Sequence, residues 1–154
     1  SSKFYNGKAL SQILINDGKT LFGTRMFDHM KLLNDWNFFT PADKGYIVFA
    51  VDKKTRDTVW SGRVPIRVKA MAASAKNLAV AGPPDLLDSE DPLGAFEGRM
   101  GGRLRILSAD KGEELAELEL DSPPVLNGIA AATNRLFLSL QDGSIVSIGE
   151  SPKE

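Results

Sequence analysis

The chain has no cysteine and a single histidine, His29. The first absence excludes a disulfide framework, cysteine-ligated zinc, thiol catalysis and covalently attached haem. The second excludes a histidine-rich metal centre built from this chain alone. An excess of one charge is lacking too: 19 basic and 20 acidic residues are interspersed, for a formal net charge of -1. No basic face for a phosphate backbone is expected, so nucleic acid is not an expected partner. Long apolar runs are missing, and stretches such as Ile129 to Ala132 are far too short to cross a bilayer, so membrane insertion is not expected. Ser1-Ser2-Lys3 starts directly into polar sequence with no signal peptide, as a mature or excised chain would. There is no Ser/His/Asp triad, P-loop or dinucleotide fingerprint, and Gly98-Arg99-Met100-Gly101-Gly102 lacks the spacing that cradles a phosphate.

What is present is ordinary for one globular domain: 154 residues, 42% hydrophobic and 25% charged. The informative feature is internal similarity. Shifted by 58 positions, Val48 to Gly82 falls on Ile106 to Leu140 without a gap. Identical pairs are Asp52/Asp110, Lys53/Lys111, Pro65/Pro123, Ala72/Ala130, Ala73/Ala131 and Leu78/Leu136, and pairs such as Trp60/Leu118 and Val80/Leu138 stay apolar. An earlier partial copy, Ile13 to Ile15 and Lys19 to Phe22, matches Ala70 to Ala72 and Lys76 to Ala79 at an offset of 57.

Within each copy the units are short, β-like and separated by turn signals. Strands are expected at Ile13–Ile15, Leu21–Arg25, Tyr46–Val51, Thr58–Ser61, Val68–Ala73 and Leu78–Ala81. Arg103–Leu107, Leu115–Leu120, Leu126–Ala132, Leu136–Leu140 and Ile145–Ile148 complete a set of eleven, the last after the hairpin turn Asp142-Gly143. The alanine-rich stretch Ala70 to Ala75 favours helix by propensity, but its apolar counterparts assign it to strand. Four antiparallel strands per copy predict an all-β protein of about three β-propeller blades. The blades would span residues 9–62, 68–120 and 126–148, the third incomplete. Two insertions, 26–45 and 83–102, fall between second and third strands and should emerge side by side on one face.

At Ala50-Val51-Asp52-Lys53-Lys54-Thr55-Arg56-Asp57-Thr58-Val59-Trp60 the chain resembles the tryptophan-docking motif of quinoprotein (pyrroloquinoline-quinone-type) propellers, Ala-x-Asp-x-x-Thr-Gly-x-x-x-Trp. Ala50, Asp52, Thr55 and Trp60 match, and Arg56 stands where that motif has glycine. A second copy, Ser108 to Leu115, keeps Asp110 and a displaced Gly112 and has Leu118 in place of tryptophan. The wider segment Gly82 to Leu104, with Ser122-Pro123-Pro124 and Asp142-Gly143, is similar to bacterial quinoprotein-like repeat proteins. The resemblance implies a docking role for Trp60 between blades and a periplasmic or other extracytoplasmic location. For a full-length parent it implies pyrroloquinoline quinone and calcium; no cofactor is expected for this chain alone. Fewer than three blades, with no adjacent cysteine pair, point to a binding or scaffold segment without a reaction of its own. The alternative is a fragment of a quinone-dependent dehydrogenase whose site needs further blades.

Several residues are candidates for a site. Asp85, Asp88, Glu90 and Asp91 form an acidic cluster whose spacing fits no EF-hand loop; it reads first as a solvated loop, with a calcium site as the alternative. Asp28 and His29, with Trp36, Phe38 and Phe39 nearby, give the first insertion a site-like composition, for acid–base work or stacking, or for anchoring the loop. Arg99, Arg103 and Arg105 flank a glycine pair and could meet an anion or simply carry surface charge. Because three blades leave open sheet edges, other blades or a second copy of the chain are the expected partners, with Ser2 to Asn6 a candidate for the missing strand.

Overall fold

The computed structural model describes residues 11–26 and 45–149. Among the described residues, eleven strands form three antiparallel sheets in chain order, and the one helix is a single turn, α1 (Gly94–Glu97). The first sheet holds β1 (Leu14–Asn16), β2 (Thr20–Arg25), β3 (Tyr46–Asp52) and β4 (Thr58–Val64). The second holds β5 (Ala70–Ala73), β6 (Asn77–Gly82), β7 (Gly102–Ser108) and β8 (Glu114–Leu120). Among the described residues the third holds three: β9 (Pro124–Ala132), β10 (Arg135–Leu140) and β11 (Ile145–Gly149). Ala70–Ala73 is strand despite its alanines, because pairing with β6 and burial override propensity.

The sheets stack through two apolar cores, and the alternation of β6 explains how. Leu78 and Val80 face a first core with Phe22, Val48, Ala50 and Met71. Ala79 and Ala81 face a second core with Leu104, Leu120, Leu138 and Leu140. The second sheet is therefore covered on both faces, with the large side chains of β6 on one and the small ones on the other.

Pairing registers in the two four-stranded sheets correspond closely. Ile15 lies opposite Phe22 as Ala72 lies opposite Ala79, and Ala50 opposite Trp60 as Ile106 opposite Ala116. A bulge follows at Ala50/Val51 and again at Ile106/Leu107. Gly45 and Gly101 enter β3 and β7 with φ of 68° and 67°; a Cβ there would come within 2.4 Å of the Val64 oxygen and 2.8 Å of the Leu120 oxygen. These backbones approach too closely for any side chain.

The registers correct the 58-residue match for the third and fourth strands. Asp52 N donates to Asp57 O and Arg56 N to Asp52 O, while Ser108 N donates to Glu113 O and Gly112 N to Ser108 O. Ser108, not Asp110, thus occupies the position of Asp52; Gly112 that of Arg56; and Ala116, not Leu118, that of Trp60. A slip of two residues leaves every side chain on its own face, so the apolar pattern cannot reveal it. In the first two strands the offset does hold: Ala73 pairs with Leu78 as Ala131 pairs with Leu136.

Candidate functional site

The long connections β2–β3 and β6–β7 both join a second strand to a third. Residues 27–44 of the first lie outside the described residues, and with them Asp28, His29, Trp36, Phe38 and Phe39; the same holds for Ser2 to Asn6. The second connection is described throughout, and its root meets the root of the first.

After β6 the chain turns through Pro83 and Pro84, which have no N–H to leave unsatisfied at a sheet end. Pro84 forms an isolated antiparallel bridge with Ile66, Arg67 N donates to Pro83 O at 2.8 Å, and Asp85 N donates to Pro65 O at 3.0 Å. These bonds pin Asp85 inward, at 5% exposure. Neither carboxyl oxygen has a hydrogen-bond partner among the described residues. Burial pushes its carboxyl up to about 6, against the opposing pull of the Arg67 guanidinium.

Tyr46, at the start of β3, is 1% exposed and couples electrostatically to the same pair. Burial raises its hydroxyl to about 12; Arg67 opposes the rise and Asp85 adds to it. Phe96 of α1 lies over the Arg67 guanidinium, 4.7 Å from its carbon to the ring centroid, with the ring 47% exposed. Burial first, and Arg67 second, hold the Lys69 ammonium below its usual value. The cluster Tyr46, Arg67, Asp85 and Phe96 thus combines a buried carboxyl, a cation and an accessible aromatic face. Its accessible part is the flat Phe96 surface beside the Arg67 guanidinium, with the Asp85 carboxyl shut away from solvent.

The acidic cluster does not converge. Asp88 Oδ1 accepts from Glu90 N at 2.7 Å and Asp91 N at 3.2 Å, closing the loop on itself. Asp91 is held by Arg99 Nε at 3.0 Å, and that pairing keeps its carboxyl below the usual range. No group of three or more His, Cys, Asp or Glu gathers among the described residues. Arg99 also pairs with Glu97, so its charge is met by its own loop. Arg103 pairs with Glu117 at 3.0 Å and Glu119 at 3.4 Å; Arg105 pairs with Glu114, and with Glu117 at 2.8 Å. These two arginines belong to a cross-strand ion-pair ladder on β7 and β8.

The Ala50–Trp60 segment closes as a hydrogen-bonded turn. Asp52 Oδ1 accepts from Lys54 N at 2.8 Å and Thr55 N at 2.9 Å, which lowers the Asp52 carboxyl, and Thr55 Oγ1 accepts from Asp57 N at 3.2 Å. Arg56 adopts φ 66°, the conformation a glycine would take without strain. Trp60 Nε1 donates to Ala109 O at 2.9 Å, on the β7–β8 turn of the next sheet, and its ring packs against Gly112 and Phe22. Trp60 therefore ties the first sheet to the second.

Sequence reasoning reaches Asp85 only as one acid among four, and misses Tyr46, Arg67 and Phe96. The available signal is Asp85 directly after Pro83-Pro84 and before Leu86-Leu87, an apolar setting unlike that of Asp88 to Asp91.

No protein-family model matches the chain, and no curated protein does. Among solved structures, the crystal structure of the computationally designed Ika4 protein is similar with a TM-score of 0.57 and 11% sequence identity. The match covers 90% of this chain and 64% of that one, so the chain spans less than two thirds of its structural neighbour. At this identity the likeness concerns the fold alone.

Proposed function

We propose that the chain is a segment of a quinoprotein-like β-propeller that serves as a binding or scaffold module and carries no reaction of its own. The observation that carries the reading is the Trp60 interlock: a turn built on Asp52 and Thr55 presents a tryptophan that docks on the matching turn of the next sheet. Three sheets following one another in chain order, with corresponding registers in the first two, support the same reading. Under it each sheet is a blade, and further blades complete the ring in a longer or assembled protein.

The recognition face is the end where the two long connections emerge, with Arg67 and Phe96 as its described contacts. Pyrroloquinoline quinone and calcium belong, under this reading, to a full-length parent, and an extracytoplasmic location goes with them. The test is titration of the purified chain with pyrroloquinoline quinone, with and without calcium, followed by thermal shift and by co-elution of quinone absorbance. The expected result is no stabilisation and no retained cofactor. Retention that needs calcium and is lost in Asp85→Asn, with alcohol-dependent reduction of an artificial acceptor, would replace this reading with the dehydrogenase-fragment one.

A further inference from the structure

β11 is the outermost strand of the third sheet, and no strand among the described residues pairs with its far edge. The hydrogen-bonding pattern shows which groups that edge offers. Leu140 N donates to Ser144 O at 2.9 Å, so Leu140 and Ser144 form a hydrogen-bonded pair, and β10 and β11 continue antiparallel from there. Pairs alternate along such a ladder. The peptide groups of Val146 and Ile148 therefore point toward β10, and those of Ile145, Ser147 and Gly149 point outward.

Within the strand itself the edge carries no protecting residue, the nearest charge being Arg135 of β10, which bonds Ser147 Oγ. Exposed edge strands are ordinarily guarded by charge or proline. β4 carries Arg63, and β8 carries Glu114, Glu117 and Glu119, with all three glutamates engaged by Arg103 and Arg105. β11 reads Ile-Val-Ser-Ile-Gly, with neither charge nor proline, and Ile145 is 72% exposed.

We infer that a second copy of this chain pairs antiparallel with β11 about a two-fold axis through Ser147, making one continuous six-stranded sheet. In this register Ser147 faces Ser147 of the second copy and Ile145 faces Gly149 in both directions. The outward groups then form three pairs that each exchange two hydrogen bonds; a slip of two residues either way loses a pair. Val146 falls opposite Ile148 of the second copy on the face that already packs on the second sheet, so the apolar layer continues across the junction. The Arg135 stem beside Gly149 gives the exposed Ile145 a surface to bury against, and Arg135 Nε, donating to Ser147 Oγ at 2.9 Å, is the charge beside the junction. The inference shares with the scaffold reading only its need for an incomplete third sheet.

Sedimentation equilibrium of the whole chain over a wide concentration range tests it, and a reversible monomer–dimer equilibrium is expected. Ser147→Pro removes an outward N–H and leaves the β10 ladder intact, so it should raise the dimer dissociation constant at least about tenfold while the far-ultraviolet circular dichroism is unchanged. Should that variant misfold, Ile145→Lys serves in its place with the same expected loss. Because the chain has no cysteine, Ser147→Cys supplies a single thiol, and a hydrogen-bonded pair spaces Cα atoms ~5.5 Å apart, within disulfide reach. Mild oxidation should therefore give a covalent dimer much faster than for Ser74→Cys in the exposed β5–β6 turn. A monomer at every concentration, or equal crosslinking of the two cysteine variants, overturns the inference. Neither outcome touches the quinone titration, which judges the scaffold reading separately.

Discussion

Asp85→Asn provides a demanding test of the site, because the side chain keeps its size while one titrating oxygen becomes a neutral amide nitrogen. Asp85 is buried, its oxygens lack hydrogen-bond partners among the described residues, and its carboxyl is raised from 3.8 to about 6. A folded-state value above the unfolded one means that the folded chain binds the proton more tightly. Stability from this group is thus fully present below about pH 4, falls as pH rises toward about 6, and stays lost above that. At about 1.4 kcal/mol per pKa unit, the native chain carries a penalty of about 3 kcal/mol at pH 8. The amide that replaces the carboxyl never ionises, so the variant escapes this penalty. Thermal or urea denaturation of both proteins from pH 4 to pH 8 should show equal stability at the acid end. The variant should then gain steadily through pH 5 to 6 and lead by several degrees at pH 8. Using the difference between the two proteins cancels other carboxylates such as Asp52 and Asp91, whose lowered values act in the opposite direction. A variant less stable than native at pH 8 would refute the reasoning, because the Arg67 attraction would then outweigh the cost of burying the charge.

The sheet-to-sheet interlock yields the remaining predictions. Gly112→Ala should cost about 2–4 kcal/mol in urea unfolding, since φ is 72° and a Cβ would sit 2.4 Å from the Trp60 ring. Arg56→Gly, at the equivalent turn position, should stabilise the chain in urea unfolding by up to about 1 kcal/mol by relieving a left-handed residue. Trp60→Phe leaves the buried Ala109 carbonyl without its indole donor and should lose about 1–3 kcal/mol in urea unfolding, with the Trp60 share of the fluorescence change abolished. By contrast, Gly18→Ala, where nothing lies within 4 Å of the added methyl, should cost only the backbone term of about 1 kcal/mol.

The strands were legible because their signal is local. Alternating apolar residues, Asn-Asp-Gly and Asp-Gly turns and β-branched runs mark all eleven, and even the alanine-rich β5 could be assigned from its apolar counterparts. The register between copies was not legible beyond parity, and the slip from Ser108 to Asp110 shows why: side-chain alternation repeats every two residues and cannot count them. The candidate site was harder still. Asp88 and Asp91 share Asp85's neighbourhood in sequence, but they are spent on loop closure and on Arg99, while Asp85 is held apart by its backbone bond to Pro65. Tyr46, Arg67 and Phe96 come from three separate segments and share no spacing that a linear reading could detect.

By itself the sequence determined the all-β character, the strand positions and the turn that presents Trp60, because each depends on a residue and its near neighbours. The tertiary structure alone decided which acid is buried, which arginines are already paired and which strand edge no described strand covers. Those outcomes depend on what lies across a sheet or between sheets, where solvent exclusion and partner charges act over distances in space and not along the chain.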